Sequence, residues 1–153
     1  MKAIDVLYKD WKNKSYPVDP YQIAFMNNVE VRLCIFKDSD LWGKFFYENN
    51  NPIICINGKI TQYQKKAILA AELCRFFNNK DKTKVFEDTY SYLCSEELDV
   101  KEINDFSFSL LMPREFIEEI LYNKQISDLT EMAKLLAVSK KSLSWRLQRL
   151  KII

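Results

Sequence analysis

The sequence predicts an α+β fold with a small antiparallel three-stranded sheet, a long central helix and a C-terminal helical segment patterned like a helix-turn-helix. Three observations predict it. Short apolar runs separated by turn residues occupy residues 29 to 56, an unbroken helical pattern runs from Gln62 to Asn79, and two further helical patterns close the chain around a turn at Val138-Ser139. With 48% hydrophobic and 14% aromatic residues and only two glycines in 153 positions, a packed core is expected and a disordered chain is excluded.

Residues 1 to 14 place Ile4, Leu7, Tyr8 and Trp11 at helical spacing, which predicts a short amphipathic helix ahead of Pro17 and Pro20. Asp19 is positioned to cap a helix from Pro20 to about Asn27, because proline suits the first helical position. Val29, Val31, Leu33 and Ile35 alternate with Glu30, Arg32, Cys34 and Phe36, the period of a half-buried strand. Strands at Leu41 to Glu48 and Pro52 to Ile56 flank Asn49-Asn50-Asn51, and the three together read as an antiparallel meander. In the long helix, Ala67, Leu69, Ala70, Leu73, Phe76 and Phe77 share a broad apolar face. Residues 80 to 100 read as a loop followed by a helix or irregular segment. Glu102 to Leu111 is then a helix stopped at Met112-Pro113, and Arg114 to Asn123 the next one. A helix, the Val138-Ser139 turn and a second helix from Lys140 to about Leu150 complete the pattern.

A formal charge of +2 is too small to imply a nucleic-acid or membrane partner for the chain as a whole, but the charge is unevenly spread. Residues 85 to 119 carry ten acids against two bases, whereas Lys134 to Ile153 holds six Lys or Arg and no acid. Cys34, Cys55, Cys74 and Cys94 lie about twenty residues apart, which is neither a zinc-binding nor a redox spacing. They read as free core thiols, with Arg75 beside Cys74 the one feature that would lower a thiol pKa. The charged start carries no signal-peptide pattern and no apolar run is long enough for a membrane span, so a cytoplasmic location is expected.

The order of these elements, together with Tyr16-Pro17-Val18-Asp19-Pro20, Val29 to Leu33, Phe45-Phe46-Tyr47, Asn51 to Ile54, Ile56-Asn57 and Leu111-Met112-Pro113, resembles the ImmA/IrrE family of zinc metallopeptidases. The resemblance covers nearly the whole chain and implies a zincin-like fold. It implies a peptidase-like domain at residues 1–124 and a C-terminal helical segment at 125–153 packed on it. In that family the long helix carries His-Glu-Leu-Gly-His, two histidines four apart that reach one zinc ion and a glutamate that activates the metal-bound water. The matching stretch here is Ala71-Glu72-Leu73-Cys74-Arg75, so the glutamate alone is retained. The family's third ligand, an acid just before Leu-Leu-Met-Pro, matches Ser109.

Ala71 cannot coordinate a metal, Arg75 is a permanent cation, Ser109 is a poor zinc ligand, and the chain contains no histidine. Glu72 and Cys74, two apart, do not share a helix face. No metal and no cofactor are expected, and no catalytic residue. Arg75 either pairs with a carboxylate in the matched pocket, Glu72 being three residues back on the same helix, or reaches solvent while Glu72 is an ordinary surface residue. The aromatic residues, Phe45, Phe46, Tyr47, Phe76, Phe77, Phe106 and Phe108, are expected mostly in the core.

The resemblance thus implies an inactive pseudo-metallopeptidase whose partner is a helix-turn-helix repressor of a phage or mobile element, held without cleavage by an antirepressor or corepressor. The alternative is a DNA-binding regulator. Lys140, Lys141, Arg146 and Arg149 of the last helix could meet phosphates and base edges, unless Leu143, Trp145, Leu147 and Leu150 simply pack the helix pair while its basic residues stay solvated.

Overall fold

Asp19 opens the first helix of the computed structural model, which describes residues 16–89 and 98–153. Its carboxylate accepts from the backbone N–H groups of Tyr21 at 2.9 Å and Gln22 at 3.4 Å, which caps α1, Pro20–Met26, at a proline that has no N–H to satisfy. Asn28, at φ 57°, then turns the chain into β1, Glu30–Cys34. The expected helix over residues 1–14 and Cys94 lie outside the described residues.

Strands β2, Leu41–Glu48, and β3, Asn51–Asn57, are joined by Asn49 and Asn50 at φ 51° and 65°. Two consecutive positive φ angles are what a tight two-residue hairpin requires, and asparagine tolerates them. The pair is antiparallel with Glu48 opposite Asn51 and Phe45 opposite Ile54.

The expected three-stranded antiparallel meander is corrected in two ways: the sheet has four strands in the order β1-β3-β2-β4, and it is mixed. β1 runs parallel to β3, with Val31 opposite Ile54 and Leu33 opposite Ile56. Ile53, Ile54, Cys55 and Ile56 are all buried, a continuous apolar run that fits an interior strand flanked on both sides. β1 is the edge. Val29 just before it is buried, but Leu33 is 63% exposed and Ile35 is also exposed, so the alternation predicts the strand without predicting which residues are covered. The fourth strand, β4, Phe86–Thr89, pairs antiparallel with β2 inside the stretch read as loop and helix.

Helix α2, Gln62–Asn78, starts with a reciprocal cap: Thr61 Oγ1 accepts from Gln64 N at 3.2 Å and Gln64 Oε1 accepts from Thr61 N at 2.9 Å. Every residue from Ile68 to Cys74 is buried, so over two turns the helix is covered on all sides. α3, Leu98–Leu111, begins four residues earlier than expected. α4, Arg114–Glu118, relaxes into a π-helical turn at Glu119–Asn123, and α5, Leu129–Leu136, and α6, Lys140–Arg149, follow.

The described residues fall into two compact units, Asp19–Ser107 and a second comprising Tyr16–Val18 with Phe108–Ile153. The core of the first holds Phe45, Ile54, Ile68, Leu69 and Leu73; that of the second holds Met112, Ile117, Ile120, Leu136 and Leu143. The boundary falls within α3. No helix among the described residues is long and apolar enough to cross a membrane.

Candidate functional site

Gly43 makes room for the site. A Cβ at this position of β2 would stand 2.7 Å from Ile68 Cγ1 and 3.0 Å from Glu72 Oε1, so only glycine lets α2 approach the strand this closely. The register between β2 and β4 shifts between Leu41 and Gly43, which sets Asp88 of β4 opposite Gly43. Glu72, fully buried, and Asp88, 2% exposed, are thereby brought to one place under the sheet.

Arg75, one turn along α2, donates from Nη2 to Asp88 Oδ1 at 2.9 Å, and its Cζ lies 4.6 Å from the centroid of the Phe86 ring. The guanidinium therefore does engage a carboxylate, and the partner is Asp88 from β4. The remaining oxygens are short of donors: among the described residues, neither Glu72 oxygen nor Asp88 Oδ2 meets one. Two buried carboxyls can share a hydrogen bond only if one is protonated. Burial, first, and the neighbouring Asp88, second, push the Glu72 carboxyl well above the usual carboxylate range, against a smaller opposing pull from Arg75. Of the two carboxyls Glu72 is the one pushed toward its neutral form, and Asp88 is the one that Arg75 engages.

Cys74 is the free core thiol expected, and Arg75 beside it does not lower it. Burial pushes its thiol up to about 12, outweighing Arg75 and the Asn78 amide that donates to Sγ at 3.3 Å, so it is an inert core thiol. Cys55 is likewise buried with a raised thiol, while Cys34 is half-buried. Of the aromatic residues expected in the core, Phe45, Phe106 and Phe108 are buried and Phe46, Tyr47, Phe76 and Phe77 are half-buried.

Ala71 is buried beside Glu72 on α2, whereas Ser109 is half-buried on the part of α3 that belongs to the second unit. In that unit, Lys140 and Lys141 are exposed in the first turn of α6. Arg146 and Arg149 have local engagements: Arg146 Nε donates to the Met112 carbonyl at 3.0 Å, and the Arg149 guanidinium lies 5.0 Å from the Trp145 ring, which itself packs on Phe108 at 4.7 Å. Leu143 and Leu147 are buried. The last helix is thus fastened to the Met112-Pro113 corner through one of its own basic residues.

A family model described as the IrrE N-terminal-like domain, Peptidase_M78, matches residues 27–148. The chain belongs to this family. The match spans four-fifths of the chain, from the end of α1 to the penultimate residue of α6, and covers every residue of the cluster. No curated protein matches the chain.

Membership in a metallopeptidase-like family makes a metal the group to test against this site. Among the described residues no three His, Cys, Asp or Glu gather as a metal-binding group. At the cluster the available donors are one buried carboxyl pushed toward its neutral form and one carboxylate already engaged by a guanidinium. That set does not suit zinc, which takes three or four nitrogen, sulfur or carboxylate ligands and is repelled by a fixed cation. Asp88 was not among the residues singled out from sequence. Its one signal was position: Phe86 and Asp88 are two apart and share a strand face, but an aspartate at an inward position breaks the apolar alternation by which strands are found.

Proposed function

We propose that this IrrE-like chain is a pseudo-metallopeptidase that regulates a protein partner by binding it without cleavage. The observation that carries the reading is the Arg75–Asp88 ion pair. A permanent cation, bonded at 2.9 Å, stands at the helix position that matches a zinc-binding histidine in the resembling family, next to Ala71 where the other histidine would be. Glu72, the glutamate that would activate a metal-bound water, is fully buried and its carboxyl is pushed well above the usual range, which suits neither a base nor a substrate contact. The partner this reading favours is a helix-turn-helix repressor of a phage or mobile element, with the chain as its antirepressor or corepressor.

Metal analysis of the purified protein tests the first half: less than about a tenth of an equivalent of zinc is expected, and stoichiometric tightly bound zinc would end the pseudoenzyme reading. A pulldown from the native cell tests the second half. An intact repressor is expected in the bound fraction; repressor fragments would restore a cutting enzyme. DNA binding is the second reading, favoured by exposed Lys140 and Lys141 at the start of α6 and by the acid-free run from Lys134 to Ile153. It requires a mobility shift that weakens steeply with salt and is lost in Lys140→Ala/Lys141→Ala.

A further inference from the structure

β1 is an edge strand, and the direction of its backbone groups is fixed. Gly58 N donates to the Cys34 carbonyl at 2.9 Å, so Glu30, Arg32 and Cys34 turn their N–H and C=O toward β3. Those of Val31 and Leu33 point the other way and meet no partner among the described residues. We infer that this edge pairs antiparallel with the same edge of a second copy of the chain, joining two four-stranded sheets into one. The two most exposed large apolar side chains among the described residues, Phe25 at 81% and Ile35 at 79%, belong to this region, and Met26 and Leu33 are exposed beside them in sequence. Val29 N donates to the Ala24 carbonyl at 2.9 Å, which holds the end of α1, with Phe25 and Met26, next to the start of β1. A free strand edge flanked by exposed apolar side chains is a pairing surface.

The edge is complementary to itself in one register. Glu30 and Arg32 flank Val31, so an antiparallel copy centred on Val31 sets each Glu30 opposite the Arg32 of the other chain. Val31 then faces Val31, each with its N–H and C=O turned outward, which is the hydrogen-bonded pair of an antiparallel ladder. Arg32 already donates to Glu30 from Nε and Nη2 and to Glu48 from Nη2, each at 3.1 Å, so the charges select the register and do not drive association. The drive is apolar. In this register Leu33 falls opposite Val29 of the second copy and Ile35 runs on toward the end of its α1, so Leu33 and Ile35 of each chain cover Phe25 and Met26 of the other. A copy centred on Arg32 would face one guanidinium with another, and one centred on Leu33 would set Ile35 opposite Val31, short of α1. A strand of five residues makes a small contact, so the dimer is a reversible one. The inference stands whether or not the chain cuts its partner.

Sedimentation equilibrium of the purified full-length protein tests it. A monomer–dimer equilibrium is expected, with a dissociation constant at or below about 100 μM. Leu33→Lys changes an exposed side chain, and Val31→Pro removes an outward N–H that β3 does not use. Each is expected to weaken dimerisation at least about tenfold while circular dichroism shows the fold unchanged, and Leu33→Lys decides the matter if Val31→Pro does not fold. Val85→Lys is the control: this exposed apolar residue precedes β4, at the opposite edge of the sheet, and its replacement should leave dimerisation as in the parent. The inference is overturned if the parent associates more weakly than about 100 μM or not at all, which leaves the edge to a foreign strand. It is equally overturned if folded Leu33→Lys dimerises like the parent, or if Val85→Lys dissociates as readily as Leu33→Lys.

Discussion

Arg75 and Asp88 are thirteen residues apart in sequence and 2.9 Å apart in space, and their pairing governs how the neighbouring side chains behave. Asp88 is almost wholly enclosed, so Arg75→Met would leave a buried carboxylate without its cation. The expected loss of stability is about 3 kcal/mol by urea denaturation, the low end of the range for breaking a buried pair because Arg75 keeps 20% exposure. Arg75→Met combined with Asp88→Asn should recover part of it. At Glu72 the folded state holds the proton more tightly than the unfolded chain does. The stabilisation is complete below the ordinary carboxylate pKa and is lost as pH rises toward the raised folded value. Glu72→Gln keeps the shape of the side chain without a proton to lose. Its stability relative to the parent should therefore increase between pH 4 and pH 8, and a pH-independent difference would contradict a raised Glu72 carboxyl. At this scale the sequence identified two of the cluster's three residues: Glu72 and Arg75 share a helix and a motif, whereas Asp88 reaches them through a strand pairing that nothing local announces.

Elements were legible where their ends are written locally. Asp19, Thr61 and Ser139 each accept from a backbone N–H two or three residues on, and each precedes a helix whose start the sequence located correctly. β4 was not legible, because four residues reading Phe-Glu-Asp-Thr contain two poor strand formers and too short a period. The turn between α5 and α6 carries a testable cost. Ala137 sits at φ 52° and ψ 50°, a left-handed conformation that a Cβ disfavours and that glycine adopts freely at a helix C-terminus. Ala137→Gly should raise stability by about 0.5–1 kcal/mol in urea denaturation without altering the helix pair. A loss would show that the Ala137 methyl contributes packing greater than the strain it causes.

For the molecule as a whole, the α+β class and the family were legible because they rest on element types in order; the sheet's strand order was not, because pairing partners are chosen by burial across the whole chain. β3 is flanked by β2, its neighbour in sequence, and by β1, whose first paired residue lies 23 positions away, Glu30 opposite Ile53. This arrangement implies a sequence of events in time. The β2–β3 hairpin closes through two residues and can form early, while β1 can find its parallel edge only after that hairpin exists. Asn50→Gly, which eases the turn, should speed refolding about twofold in stopped-flow measurements, whereas Val31→Ala in β1 should mainly speed unfolding. Until β1 arrives, the buried row Ile53, Ile54 and Ile56 offers an open strand edge to any other chain. The newly made protein is thus most exposed to aggregation in the interval between closing its hairpin and adding its first strand.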